Sequence, residues 1–195
     1  LSSLQNANYM FFGACNLQLR NKKRIAYLLN LNSTITSINI FGGCFAPIDS
    51  FDLEKAVDMW LNDSSRAETE VKYGDIEYWD TSKILGMGEL FSIDRNSRAK
   101  GFNADISKWN TSAVKDMSFM FDDAKNFNQR LEKWDVSSVN NMSYMFADAE
   151  SFNENISIWN LSSLVDSSYM FYEALSFNQG LQKWHSLSSL QNINY

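Results

Sequence analysis

Residues 102–176 repeat one phrase three times without a gap. They read FNADISKWNTSAVKDMSFMFDDAKN (102–126), FNQRLEKWDVSSVNNMSYMFADAES (127–151) and FNENISIWNLSSLVDSSYMFYEALS (152–176), and a further copy opens at Phe177. The period is 25 residues. Self-similarity at such a period is typical of a solenoid, in which each coil buries its apolar face only against its neighbours. The sequence therefore predicts a stack of coils.

The phrase extends outward from this stretch on both sides. Its tryptophans are 25 residues apart after one opening interval of 30, and they are Trp79, Trp109, Trp134, Trp159 and Trp184. The extra five residues fall in 92–101, and we expect this polar segment to loop out from the stack. Residues 1–17 also fit the phrase. Residues 187–195 (LSSLQNINY) match residues 1–9 (LSSLQNANY) at eight of nine positions, and this offset of 186 residues predicts modules in tandem.

These patterns divide the chain into four predicted parts. Residues 1–20 end a preceding repeat array, 21–50 form an irregular inter-module junction, 51–78 hold a capping helix with its lead-in, and 79–195 form a solenoid that continues beyond the chain. The helix would be capped by Ser50 or Asp52, after which apolar residues recur at helical spacing on one face. It would cover the open edge of the first coil. Residues 63–72 read as a loosely polar stretch.

Within each coil the pattern predicts an α/β unit. We expect a short strand over Leu131–Val136 and a short helical turn over Ser143–Asp148, joined by tight bends. Stacked strands lie about 4.8 Å apart, so equivalent residues of successive coils should form ladders. The fold class is therefore an α/β solenoid with a core of repeated aromatic and aliphatic residues.

The tryptophan ladder has two interpretations. In the first, the rings pack in the core. In the second, they form an exposed aromatic stripe for sugar rings or a partner protein, because Ile106 and Trp109 differ by an odd number of residues and would lie on opposite faces of a regular strand. A bend in the strand would remove this conflict. The candidate binding face consists of Trp79, Trp109, Trp134, Trp159 and Trp184.

A second ladder consists of the asparagine that follows phenylalanine in each coil. A side-chain amide repeated at a bend can satisfy backbone groups of the adjacent coil, so we expect a structural role. Its members are Asn103, Asn128, Asn153 and Asn178.

Asn-x-Ser/Thr sites also occur in the sequence, and they permit glycosylation. The candidates are Asn32, Asn62, Asn110, Asn141, Asn155 and Asn160.

The composition excludes several functional classes. The chain is 45% hydrophobic and carries a net charge of -6, with one basic cluster at 20–24 (RNKKR), which argues against nucleic-acid binding. No apolar run approaches the length of a membrane span. Cys15 and Cys44 flank the segment that breaks the repeat and could close a loop as a disulfide; two free buried thiols fit equally well. His185 is the single histidine, and the sequence indicates no catalytic residue, cofactor or metal site.

The phrase W-D-V-S-S-V-x-x-M-S-Y-M-F-x-x-A-x-x-F-N-x-x-[IL] resembles the BspA-like leucine-rich-repeat surface proteins, in the 25-residue form of mycoplasma lipoproteins that also occurs in algae and large viruses. The resemblance covers 79–195 and 1–17 and departs from the phrase at Ser167, at Gly88-Glu89 and in 18–50. It implies a right-handed, leucine-rich-repeat-like solenoid displayed outside a cell. It transfers no catalytic residue.

We therefore expect a non-catalytic structural or interaction protein at the cell surface. The first hypothesis is a tandem-module solenoid that forms or decorates a surface appendage or filament, with neighbouring modules or copies of itself as partners. The second is an adhesion module that recognises glycan or protein through one solenoid face. A third is an accessory subunit of a larger assembly. Specificity would lie where the phrase breaks, at 92–101, His185 and 18–50.

Overall fold

A computed structural model describes residues 46, 49–182 and 184. The preceding array, nearly all of the junction, Cys15, Cys44, Asn32 and His185 lie outside the described residues. The described coils are numbered here by their tryptophans: coil 1 covers 79–101, coil 2 covers 102–126, coil 3 covers 127–151 and coil 4 covers 152–176. The chain forms a mostly irregular domain with a large aromatic core and contacts that recur from coil to coil, consistent with a repeat stack.

Helix α1 spans Ser50–Leu61 and begins the described fold. Its N-cap is Asp49, whose side chain accepts a hydrogen bond from the backbone N–H of Asp52 at 3.0 Å. The expected cap at Ser50 or Asp52 is therefore wrong by one residue or more. The expected apolar face is correct, because it is buried along its length. It consists of Leu53, Ala56, Val57, Trp60 and Leu61.

A second helix, α2, spans Asp63–Tyr73, where the sequence reading expected only a loosely polar stretch. Asn62 caps it by accepting from the N–H of Ser64 at 3.2 Å, and Gly74 ends it with φ 79°. The helix packs on α1: the guanidinium of Arg66 lies 3.4 Å from the centre of the Trp60 ring, and Thr69 is fully buried. Apart from Tyr73 at its end, which packs against the core, its buried position is the polar Thr69, so the sequence lacks the apolar periodicity that identified α1.

The remaining regular elements are short. Two 3-10 helices span Ile76–Tyr78 and Ser97–Gly101. No strand occurs in the described part of the chain; isolated parallel bridges join Gly86 to Asp116, Asp116 to Asn141, and Asn141 to Asp166.

Successive coils are joined through a run of turns that follows each bridge. Every second N–H in this run donates to a carbonyl of the next coil, and the alternate N–H groups close turns within their own coil. From coil 2 to coil 3 the distances are 2.8–2.9 Å, and the donors are Met117, Phe119, Phe121 and Asp123. The backbone is thus satisfied without a continuous strand or helix.

The predicted strand and helical turn are both wrong for the described coils. At the expected strand, Trp134 N–H donates to the Leu131 carbonyl at 3.0 Å, so the chain bends there. In the expected helical turn, Tyr144 and Asp148 have φ values of 56° and 53°. These left-handed conformations occur in neither a right-handed helix nor a strand, and a pair of them four residues apart recurs in coils 2 to 4.

The core is built from two columns of stacked phenylalanine rings. Within a column, centroids are 5.5–6.0 Å apart from coil to coil, and between the columns pairs such as Phe121–Phe127 and Phe146–Phe152 approach to 3.9 Å. Their members are Phe91, Phe121, Phe146 and Phe171 in one column and Phe102, Phe127, Phe152 and Phe177 in the other. Offset aromatic pairs at these distances add to the stabilisation from burial alone.

Segment 92–101 does not loop out from the stack as expected. Arg95 forms an ion pair with Asp58 of α1 at 2.8 Å, and Asn96 donates to the same carboxylate at 2.8 Å. Ala99 is fully buried. The five extra residues therefore fasten the capping helix to coil 1.

We predict that Phe146→Ala lowers the free energy of unfolding by about 3–5 kcal/mol, because the ring is fully buried between Phe121 and Phe171. Chemical denaturation monitored by circular dichroism measures this. The matched control is Phe51→Ala, since Phe51 is 70% exposed and its removal should change stability by less than about 0.5 kcal/mol. Equal stability of the two variants would contradict the core assignment.

Candidate interaction surfaces

The tryptophan ladder lies in the core. The five rings are between 2% and 8% exposed, so the structure agrees with the first interpretation, and the candidate binding face Trp79, Trp109, Trp134, Trp159 and Trp184 is not an exposed stripe. The bend after Leu131 explains why: it turns the aliphatic residue and the tryptophan to the same side despite their odd spacing.

From Trp134 onward each indole also fastens its coil to the one before it, and the indoles of Trp79 and Trp109 bond to the lead-in that precedes coil 1. The Nε1–H of Trp134 donates to the Ile106 carbonyl at 3.1 Å, and that of Trp159 donates to the Leu131 carbonyl at 3.0 Å. Trp109 reaches the Ile76 carbonyl at 2.8 Å across a separation of 33 residues in place of 28, because segment 92–101 intervenes. A buried indole N–H needs such an acceptor, and the repeat supplies it.

The asparagine ladder makes direct contacts between coils. The side-chain oxygen of Asn103 accepts from the backbone N–H of Asn128, and the same bond links Asn128 to Asn153 and Asn153 to Asn178, each at 2.9 Å. The oxygens are thereby occupied by the backbone of the stack, which is a structural use of these side chains.

Five of the candidate glycosylation sites fall in the described residues, and in all five the asparagine oxygen accepts from the N–H of the serine two residues later. Aspartate makes the same contact at equivalent positions, as in Asp135 with Ser137 and Asp116 with Ser118. This Asx turn explains why Asn-x-Ser recurs. Asn110, Asn155 and Asn160 are exposed, whereas Asn62 caps α2 and Asn141 lies half-buried in a bridge between coils.

An outward face that the sequence reading missed lies on the turn runs. We call it the turn face and define it by residues 118–119, 122–123, 144, 148, 168–169 and 172–173. Phe119, Tyr144 and Tyr169 stack along it at 4.7 and 4.9 Å and are half-buried. A second column, four residues later, is acidic and consists of Asp123, Asp148 and Glu173. The sequence alone does not predict this face, because the positions that are exposed depend on the turn geometry.

Carboxylates crowd one end of the turn face. Burial, together with the neighbouring carboxylates of Asp94, Asp123 and Asp148, raises the pKa of Asp122 from 3.8 to about 6. Lys125 offsets part of this charge: it pairs with Glu150 and lies 3.5 Å from Asp123 Oδ1, a distance for an ion pair and too long for a hydrogen bond. A negative surface bordered by aromatic ring edges can attract cationic groups.

A polar groove lies beside the tryptophan end of coils 1 to 3. Lys108 occupies it, paired with Glu77 at 2.7 Å and lying 4.0 Å from the Tyr78 ring centre, contacts that raise the pKa of Lys108 to about 12. Lys108 is thus already engaged, and Lys133 also lines the groove. Among the described residues, no group of His, Cys, Asp and Glu side chains is arranged to hold a metal ion, and no helix is long and apolar enough to cross a membrane.

A protein family described as "Mycoplasma protein of unknown function, DUF285" matches residues 29–131 and 59–184. Together these ranges cover most of the chain. The chain belongs to this family. Overlapping matches shifted along the chain are expected for a DUF285 array, because a repeated phrase fits the family at more than one register. The resemblance drawn from the phrase is confirmed in its broader form, as a repeat family related to BspA-like surface proteins. Comparison with curated proteins and with solved structures gave no match.

We predict that Asn128→Ala destabilises this DUF285 solenoid by about 1 kcal/mol, because the N–H of Asn153 loses its acceptor. Asn128→Asp keeps an oxygen in place and should recover most of that loss. Urea denaturation of the two variants measures the difference. If both substitutions cost the same, the coil-to-coil bond contributes nothing.

We predict that Asp122→Asn raises the free energy of unfolding at pH 7 by roughly 1 kcal/mol, a value reduced for solvent screening. The raised pKa means that the folded state holds the Asp122 proton more tightly than the unfolded state. The stability that protonated Asp122 contributes to the folded state is therefore fully present below about pH 4 and is lost as the pH rises through about 6. The gain from the substitution should vanish at pH 4.

The control for this pH dependence is Asp135→Asn. Hydrogen bonds from Ser137 lower the pKa of Asp135, so this substitution should leave stability at pH 7 unchanged or slightly reduced. Asparagine already stands at the equivalent positions 110 and 160. A gain at pH 7 from both substitutions, or a gain from Asp122→Asn that persists at pH 4, would contradict the electrostatic explanation.

Proposed function

We propose that this protein is a non-catalytic structural solenoid whose modules repeat in tandem outside the cell and form or decorate a surface appendage. The observation that carries the proposal is the directional backbone ladder, in which each coil donates N–H groups to the carbonyls of the next. Such a ladder can add coils of one phrase in one direction without new side-chain chemistry. Membership of a repeat family related to BspA-like proteins supports it.

We propose further that the coils over 79–195 wind as a right-handed, leucine-rich-repeat-like solenoid. The cap and lead-in at 51–78 precede this solenoid, and before them lie the junction at 21–50 and the end of an earlier array at 1–20. The near-identity of 1–9 and 187–195, at an offset of 186 residues, supports repetition of this whole unit.

The cap supports modules with distinct beginnings. In coils 2 to 4, carbonyls at equivalent positions accept from the coil before. In coil 1 the Gly86 carbonyl accepts instead from the Ser50 hydroxyl at 2.6 Å, and the Leu90 carbonyl accepts from the Arg95 guanidinium. The acceptor edge is thus covered by α1 and segment 92–101, so each module would start a new solenoid rather than extend the previous one.

The proposal assigns no catalytic residue and no cofactor. Two kinds of polar side chain that recur in coils 2 to 4 already have structural partners: Asp or Asn before serine closes a turn, and Asn after phenylalanine joins coils. The proposed partners are neighbouring modules or copies of the chain, with glycan as a further candidate, and the proposal includes no nucleic-acid partner and no membrane span in this chain.

An adhesion module is the second candidate. The observation that favours it is the half-exposed aromatic column Phe119, Tyr144 and Tyr169 on the turn face, since aromatic rings at a surface are enriched in binding sites. On this alternative the ligand is a protein or glycan recognised by that face.

Electron microscopy of three consecutive copies of residues 1–186 tests the structural proposal. We expect rods with a constant axial spacing between modules, because a capped solenoid with a fixed junction gives each module the same rise. A single copy imaged at the same concentration is the control and should show no axial repeat. Modules in random relative orientations would overturn the proposal. A glycan or protein screen that gives a specific ligand for isolated copies would favour adhesion.

A further inference from the structure

We propose that the turn face binds the basic segment Arg20–Arg24 of a second copy. This inference rests on the proposed self-assembly and adds the surface and the chemistry by which copies meet. The two partners are a face that the structure describes and the sequence segment RNKKR, which has four cationic residues in five positions.

The turn face presents ring edges. Phe119, Tyr144 and Tyr169 stack nearly parallel, with interplanar angles of 5° and 21°, so their faces cover one another and their edges point outward. Tyr172 extends the column: it is 45% exposed and meets Tyr169 edge-to-face at 6.1 Å. Leu175, 74% exposed, follows three residues later. An exposed aromatic and apolar surface of this kind marks an interaction site.

The same face carries an excess of negative charge. Asp123, Asp148 and Glu173 occupy one position in coils 2 to 4, and Asp122 stands beside the first of them. Lys125 at its edge is shared with Glu150. Like charges on adjacent coils repel, and a cationic partner would relieve this repulsion.

Several cations elsewhere in the described solenoid are already engaged. Arg95 pairs with Asp58, Lys108 pairs with Glu77, and Arg66 lies over the Trp60 ring. The densest group of cations in the sequence is Arg20–Arg24. Guanidinium groups form paired hydrogen bonds with carboxylates and also stack on aromatic rings, so arginines suit a face that offers both.

A charge-exchange experiment on the full chain tests this. Glu173→Lys with Asp148→Asn reduces the negative charge of the face and places one lysine on it, and Lys22→Glu with Lys23→Glu replaces two cations of the segment with carboxylates and cancels its net charge. We expect each pair alone to weaken self-association by about tenfold in sedimentation equilibrium at low salt. All four substitutions together should recover part of it, because the new lysine of the face can pair with the new carboxylates of the segment. Circular dichroism verifies that each variant is folded, and Asp148→Asn alone serves if Glu173→Lys destabilises the chain.

The matched control is Glu68→Lys with Glu70→Gln on the exposed side of α2, which changes the net charge by the same amount away from the face. It should leave association unchanged. The docking proposal is overturned if this control weakens association as much as the face pair does, or if the four substitutions together do not recover association. A chain that stays monomeric with salt-dependent stability would also overturn it, because the segment would then bind within its own copy.

These outcomes are separable from those of the structural proposal. The face pair is also introduced into the three-copy protein for electron microscopy. Rods that persist with the face pair would preserve the tandem solenoid and reject only the docking. Loss of regular rods in the unsubstituted three-copy protein would reject the tandem solenoid itself.

Discussion

The fold depends on one alternation in the backbone. Along each turn run, one N–H donates to the next coil and the following one donates within its own coil, so neither class of donor is left in a dry interior. Left-handed residues four apart, such as Phe119 and Asp123, make the alternation possible by reversing the chain at regular steps. The inter-coil donors of the turn runs all point to the next coil, whereas backbone donors beside the bridges, such as Asn140 to the Lys115 carbonyl at 2.8 Å, point back to the coil before.

Side chains reinforce this ladder from both sides. The ladder runs from each coil to the next, the indole N–H groups run back to the coil before, and the asparagine oxygens hold the bend between them. All three contacts require the same period, so the repeat length is fixed by hydrogen bonding as much as by packing. Segment 92–101 lengthens coil 1 by five residues without disturbing the backbone ladder or the indole bond, because it leaves the core positions in register and uses its extra length to hold α1.

The sequence was sufficient for the features that depend on period. It predicted the coils, the apolar face of α1 and the residues that stack, because residues buried at a fixed spacing appear in the sequence as apolar residues at that same spacing. It was insufficient for the features that depend on the backbone conformation of single residues. Tyr144 and Asp148 adopt left-handed φ values that cannot be predicted from their residue types, so the sequence analysis predicted a helical turn where the structure has a run of turns. The same limit hid the turn face, whose exposed positions follow from those turns, and α2 was missed because it has no apolar stripe.

Amide hydrogen exchange tests the alternating ladder most directly. The account predicts that the N–H groups of Met117, Phe119 and Phe121, which donate between coils, exchange as slowly as those of α1 and are released together when the solenoid unfolds. The N–H of Lys133, an exposed residue in the bend before Trp134, should exchange far faster. Rapid exchange of the three ladder donors under native conditions would contradict the claim that coil-to-coil donation holds the stack together.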